Sequence, residues 1–321
     1  MAPKSKTLVT HPQGVKEIQT DELYANPHNP RMLFDRLPLD VLRESIKRVG
    51  ILVPLTVYWE TAKERYVILD GQRRWMCAKD VGLKNVPVNQ VAEPSLVQNI
   101  VTMFQIHKLR QDWELMPTAL KVQLLMKEVG EKNDARLSEL TGLDEAVIVR
   151  CKKLISYDHD FQDMMLDPDP DRRIKADFFI ELYPVIHDRD VAQFAWFSRR
   201  KFVQQMLVKY LEEPRTIKAV TDFRLVKQHI TNARRIQAMD RLSAKLKVFA
   251  ELAATPLDSL DIEEANVHAE AKALVKKINT IETLVSELDA EQFYGEEDLW
   301  VAMTRLIKIL EDKLKKADKR R

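Results

Sequence analysis

The sequence is poor in the residues that break a chain or staple it. Seven glycines in 321 residues are too few for a fold of many tight turns, and the surplus of Leu, Ala, Lys and Glu points to a mostly helical chain. The two cysteines, Cys77 and Cys151, stand far apart without metal-ligand spacing. That excludes a disulfide framework and a cysteine-built metal centre, and leaves a cytoplasmic protein with reduced thiols as the expectation. No apolar run is long enough to span a membrane, and the polar, proline-containing start lacks the pattern of a secretory signal.

What is present suffices for two or three domains with proper cores. The net charge of +2 hides a local pattern, because Lys and Arg outnumber Asp and Glu by 15 to 8 over residues 174–247. Such a stretch is the electrostatic footprint of a polyanion partner, although a set of solvated helix faces gives the same count. Over residues 248–321 the balance reverses, 11 to 16.

The most informative stretch is Leu69-Asp70-Gly71-Gln72-Arg73-Arg74-Trp75. A strand-like run, Arg65 to Leu69, enters it and a helical pattern leaves it. The turn falls at Gly71, where the missing side chain allows a close approach. Arg73 and Arg74 then sit at a helix N-terminus, where unpaired N–H groups and the helix dipole favour an anion. Guanidinium forks suit phosphate oxygens. Two solvated helix arginines are the plainer explanation.

The surroundings sharpen this. Upstream lie Asn26-Pro27-His28-Asn29-Pro30-Arg31, a helix from Pro38 to Val49, and Gly50-Ile51-Leu52-Val53-Pro54-Leu55-Thr56-Val57 turning into a strand. Downstream, Gly82-Leu83-Lys84-Asn85-Val86-Pro87-Val88 leads into another strand. This order resembles the N-terminal domain of the ParB partition-protein family, within the wider ParB/sulfiredoxin fold. The resemblance is specific over residues 15–92, weaker to about residue 160, and absent beyond. It implies an α+β N-terminal domain followed by a mostly α-helical remainder, with CTP as ligand and magnesium beside it.

By that resemblance the nucleotide site is Gly50, Ile51, Val53, Pro54, Gly71, Gln72, Arg73, Arg74, His107 and Arg110. Two positions depart from the family. Ile106 stands where a magnesium-binding glutamate is expected, and isoleucine cannot ligate a hard cation; His107 stands where an asparagine is expected. CTP hydrolysis is therefore an open question, and no catalytic residue or metal ligand is assigned. His107 has a plainer role in packing on a helix face. A sulfiredoxin-type reductase needs cysteine directly after the turn glycine, and Gln72 fills that place. A metal-dependent nuclease would need Asp70, His107 and Asp112 to converge. A nucleotide-free adaptor is the third alternative.

Residues 137–155 have a helix-turn-helix rhythm hinged at Gly142, with Leu140, Leu143, Val147 and Leu154 as core and Asp144 and Glu145 capping the second helix. The resemblance implies DNA binding here, through Arg150, Lys152 and Lys153. Two carboxylates at the start of a recognition helix oppose phosphates, so the basic segment, above all Arg199, Arg200 and Lys201, is expected to carry the affinity. Its aromatics, Phe194, Trp196, Phe197 and Phe202, suit base stacking or a core. Asp167-Pro168-Asp169-Pro170-Asp171 marks a boundary.

Three apolar stripes follow: Ile236, Met239, Leu242, Leu246 and Phe249; Val267, Ala271, Leu274, Ile278, Ile281, Val285 and Leu288; and Leu299, Met303, Leu306, Leu310 and Leu314. Their heptad spacing suits either an intramolecular bundle or pairing with a second chain. The expected organisation is an arm (1–14), a nucleotide-binding domain (15–92), a helical region with the helix-turn-helix (93–166), a basic helical region (174–234) and a C-terminal bundle or coiled coil (235–321). DNA, a homodimer and a partner ATPase are the partners implied, in plasmid partition or chromosome segregation.

Overall fold

The structure, a computed structural model, describes residues 14–33, 36–107 and 114–318. Two compact units make up the chain, one of Met1–Gln228 with Ser243–Leu260 and the other of His229–Leu242 with Asp261–Arg321.

The first unit opens with a five-stranded mixed sheet. Its strands are β1 (Val15–Gln19), β2 (Leu23–Tyr24), β3 (Leu55–Glu60), β4 (Arg65–Asp70) and β5 (Asn85–Val91), in the order β1-β5-β3-β4-β2. Pairs β1·β5 and β3·β4 run antiparallel, while β2·β4 and β3·β5 run parallel. Strands β3, β4 and β5 fall where the sequence pattern places them; β2, two residues long, carries no periodicity and escapes a sequence reading.

Alternating side chains give the sheet two buried faces. Leu55, Val57, Ile68, Val86 and Val88 form one, with Ala78 and the half-buried Trp75 and Leu83 packed against them. Val67, Leu69, Tyr58 and Val91 form the other, with Met103 and Ile106. Helices α1 (Arg36–Val49) and α2 (Gln72–Asp80) contact each other, and α2 covers the first face. Helix α3 (Leu96–His107) covers the second. The sheet is thus sandwiched and its turns lie at the rim.

Helices dominate the remainder, as composition foretells. Helix α4 (Leu115–Val129) packs on α6 (Glu145–Ile155), and α5 (Asp134–Thr141) joins α6 through Gly142, whose φ of +73° and N–H bond to Ser138 O end α5. The core of this trio is Leu137, Leu143, Ile148, Cys151 and Leu154, while Leu140 and Val147 are only half-buried. Asp144 is the N-cap residue of α6 by backbone conformation, yet its carboxylate makes no capping bond.

Helices α7 (His159–Met165), α8 (Ala176–Ile186), α9 (Arg199–Leu211), α10 (Asp222–Arg235) and α11 (Met239–Glu251) follow. Phe194, Trp196 and Phe197 are half-buried, whereas Phe178, Phe179, Phe202 and Phe223 of the basic segment are fully buried and serve as core, as does Phe249 after it. Lys209 is buried among them. Its ammonium donates to Leu252 O, Ala253 O and Thr255 O at 2.9–3.0 Å and to Thr216 Oγ1 at 3.2 Å, with the Phe249 ring 4.2 Å away. A cation here serves the carbonyl end of α11, where the helix dipole is negative. Burial draws its pKa down to about 8.

The second unit contains α12 (Glu263–Ser286) and α13 (Glu297–Asp318). Leu288 lies past the end of α12. No residue of α13 is buried, and Val267, Leu274, Ile278 and Ile281 of α12 stand 43–61% exposed.

Candidate functional site

The sequence-predicted turn forms as β4–Gly71–α2. Gly71 has φ +99°, a left-handed conformation, and a Cβ there would meet Leu55 Cδ2 at 2.5 Å. Both constraints require glycine. No side chain caps α2, so its leading N–H groups are left to a ligand or solvent. One carboxylate oxygen of Asp70, Oδ1, is buried without a hydrogen-bond partner beside the same turn.

The two arginines, alike in sequence, part ways. Arg74 turns inward: its guanidinium donates to Val53 O, to Pro54 O at 3.1 Å and to Asp70 Oδ2 at 2.9 Å. It thereby clamps the segment after Gly50 to the turn. Arg73 lies on the rim and makes one bond, to Pro38 O at 3.1 Å. A guanidinium with five N–H donors keeps capacity there for an anion. Gln72 reaches neither; its Oε1 accepts from Asn29 Nδ2 at 2.7 Å.

Gly50 closes α1 with φ +72° and an N–H bond to Ile46 O. Ile51 packs against the first sheet face, whereas Leu52 and Val53 stand 79% and 64% exposed. Ile106 is half-buried against the second face, which explains an apolar residue at that place. The side chain of His107, and all of Arg110 and Asp112, lie outside the described residues.

Sequence reading missed the loop Asn26–Arg31 as a junction. Asn26 Nδ2 donates to Asn99 Oδ1 at 2.8 Å, and Asn99 Nδ2 donates to Tyr58 Oη at 3.1 Å. Lys121 Nζ donates to Pro27 O at 2.9 Å. The loop is thus pinned to β3, α3 and α4, and through Asn29 to α2. Its two Asn-Pro pairs were the available signal, since Asn side chains organise such turns.

Thiol chemistry does not assemble, and the convergence of Asp70 with His107 and Asp112 lies outside the described residues. Cys77 and Cys151 are buried, and burial pushes both thiols up, Cys151 to about 12, away from the reactive thiolate. Among the described residues no group of three His, Cys, Asp or Glu side chains is placed to hold a metal, and no helix is long and apolar enough to cross a membrane.

Of the six basic candidates for DNA, four are tied to carboxylates. Arg150 pairs with Asp177 at 2.6 Å, Lys152 with Asp134, Arg200 with Asp158 and Asp160, and Lys201 with Glu251 at 3.9 Å. Lys153 and Arg199 have no such partner among the described residues.

Residues 4–104 match the ParB N-terminal domain. The chromosome-partitioning protein ParB of Caulobacter vibrioides is 27% identical over 162 residues, 48% of this chain and 50% of that protein. Stage 0 sporulation protein J of Bacillus subtilis is 29% identical over 157 residues, 48% of this chain and 54% of that protein. The chain spans about half the length of the curated relatives it matches. Among solved structures, the C-terminally truncated chromosome-partitioning protein ParB from Caulobacter crescentus, complexed with CTP-gamma-S, is 25% identical. That match covers 48% of this chain and 84% of that one, with a TM-score of 0.29.

Proposed function

Taking as premise that the chain belongs to the ParB family through its N-terminal domain, we propose that it binds a nucleoside triphosphate at the Gly71 turn and associates with DNA in partition or a related DNA transaction. The observation that carries this reading is the turn itself: a glycine no other residue can replace, an uncapped helix start, a rim arginine and an unpartnered buried carboxylate oxygen. CTP is the triphosphate that the motif resemblance implies.

In this reading the α2 N–H groups and Arg73 hold phosphate oxygens. Asp70 Oδ1 accepts from a ligand hydroxyl, and the Gly50–Pro54 segment lies beside the base. Arg74 is a positioning residue that holds that segment in place. Ile106, packed on the sheet, offers no oxygen to a magnesium ion at the place on α3 where the resemblance expects a glutamate. In this reading the site binds nucleotide as a signal.

The exposed stripes of α12 and α13 favour a homodimer over a closed intramolecular bundle, since apolar faces of this length are stabilised by a partner. A partner ATPase belongs to the same reading on resemblance alone.

A screen of the four nucleoside triphosphates, by calorimetry with and without DNA, tests the site. Saturable binding with CTP preferred is expected, and so is the absence of phosphate release above the protein-free rate. No binding of any triphosphate would favour the nucleotide-free adaptor.

A further inference from the structure

Asp70 is the last residue of β4, and the chain passes from it through Gly71 into α2. Its two carboxylate oxygens are treated differently. Oδ2 accepts from Arg74 Nη2 at 2.9 Å, while Oδ1 is buried and meets no hydrogen-bond donor. A carboxylate that served only to anchor an arginine would offer both oxygens to the guanidinium fork. Here the second donor of the fork, Nη1, goes to Val53 O and to Pro54 O at 3.1 Å, and Oδ1 is withheld from the pair. An acceptor left unmet inside a protein is costly and uncommon. The side chain as a whole keeps 22% of its surface exposed, and the terminal torsion of an aspartate is soft. A small turn about the Arg74 anchor therefore carries Oδ1 to the open side with the ion pair kept.

Chemistry and place together restrict what meets this oxygen. An ionised carboxylate only accepts, so it repels a phosphate and requires a donor. On a nucleoside triphosphate the donors are the sugar hydroxyls and the exocyclic amine of the base. The Arg74 guanidinium sets the distances, because it touches Asp70 with one nitrogen and the Val53 and Pro54 carbonyls with another. The carboxylate thus stands one guanidinium away from the segment beside the base. On its other side Gly71 leads directly into the uncapped start of α2, where the phosphates lie. The unit of a nucleotide between its phosphates and its base is the sugar, and the 2′-hydroxyl is the one next to the carbon that bears the base.

We propose that Asp70 accepts a hydrogen bond from the ribose 2′-hydroxyl and thereby selects ribonucleotides over deoxyribonucleotides, a use of an acidic side chain known from dinucleotide sites. The inference rests on the nucleotide reading above and deepens it by naming the sugar that the site requires. It also separates two roles within one side chain, since Oδ2 positions Arg74 and Oδ1 reads the ligand.

The test is calorimetry on the full chain with CTP, 2′-deoxy-CTP, 3′-deoxy-CTP and UTP. The wild type is expected to bind 2′-deoxy-CTP about tenfold or more weaker than CTP, as loss of one charge-assisted hydrogen bond does. It should bind 3′-deoxy-CTP nearly as well as CTP. Asp70→Asn, which keeps the shape and an oxygen for Arg74, should shrink the 2′-deoxy penalty, and Asp70→Ala should abolish it. The ratio is taken within each variant, so a general weakening from a disturbed Arg74 cancels. Circular dichroism melts identify a variant that fails to fold, in which case the other variant and the wild-type ratio decide. Equal binding of CTP and 2′-deoxy-CTP by the wild type overturns the inference alone, and so does a penalty unchanged in the folded Asp70 variants. A penalty confined to 3′-deoxy-CTP, or a CTP-over-UTP preference that Asp70→Ala removes in place of the 2′-deoxy penalty, assigns the carboxylate to another donor and overturns it likewise. No binding of any of the four by the wild type overturns the nucleotide site and the inference with it.

Discussion

Helix α11 and helices α12 and α13 carry the same kind of stripe, large apolar residues at steps of three and four, and they meet opposite fates. Leu242, Leu246 and Phe249 of α11 are fully buried, whereas Val267 of α12 stands 61% exposed and Leu314 of α13 65%. Heptad spacing states that a face needs cover; it does not state whether the cover comes from the same chain. What separates the stripes is their surroundings. Phe249 of α11 lies against Lys209, and the ends of α9 and α11 are tied by that buried ammonium. No residue of α13 is buried, and in α12 only Ala265 is.

The largest effect that would break this contrast is expected in α11. Phe249→Ala should lower stability by about 3–5 kcal/mol, since a full aromatic side chain leaves a packed core and takes the ring face from Lys209. A melt shifted by less than a degree would show that the α11 stripe is no more essential than its exposed counterparts. Lys209→Met keeps the stem but leaves three carbonyls without their shared donor. A loss of about 1–3 kcal/mol is expected, read by urea titration.

The same contrast between an inward and an outward residue recurs at Arg74 and Arg73. Arg74→Ala is expected to cost about 1–3 kcal/mol of stability, because Asp70 loses its partner and two loop carbonyls lose a donor. Arg73→Ala should leave the melt within about 0.5 kcal/mol and weaken CTP by about tenfold, as loss of a charge-assisted bond to phosphate does. A reversal of the two phenotypes would exchange their roles. The smallest change in chain stability is expected from Ile278→Asp, near zero within about 0.5 kcal/mol because the position is solvent-facing in one chain. Light scattering should nevertheless report a monomer in place of a dimer. Loss of helicity in the second unit, with a wild type already monomeric, would make the stripe an internal core.

Much of the fold was legible because it rests on periodicity. The strands at Leu55, Arg65 and Asn85 are short β-branched and apolar runs, and α1 and the α5–α6 pair announce themselves by apolar spacing and by Gly142. The turn at Gly71 was legible for the same reason: a lone glycine between a strand pattern and a helix pattern has few other uses. Roles that depend on where a long side chain turns were not legible. Arg73 and Arg74 are the same residue in adjacent positions, and only the three-dimensional place of the Val53 and Pro54 carbonyls distinguishes them. Lys209 sits on an apolar face where a sequence pattern reads a solvated charge, and the carbonyls that hold it come from residues more than forty positions away. The basic run 199–201 read as a single patch because the acids that neutralise Arg200 lie in another helix.

Arg74 has a consequence for the entropy of binding. One guanidinium fixes the chain at Val53–Pro54 and at Asp70 together, so two walls of the site are ordered by folding before any ligand arrives. Loop ordering is ordinarily charged against affinity at the moment of association. Here it has already been met by the fold, and a ligand entering the turn loses mainly its own freedom. In the proposed nucleotide site, preorganisation of this kind would make association fast and little dependent on loop closure, and would confine nucleotide-driven movement to segments that Arg74 does not hold.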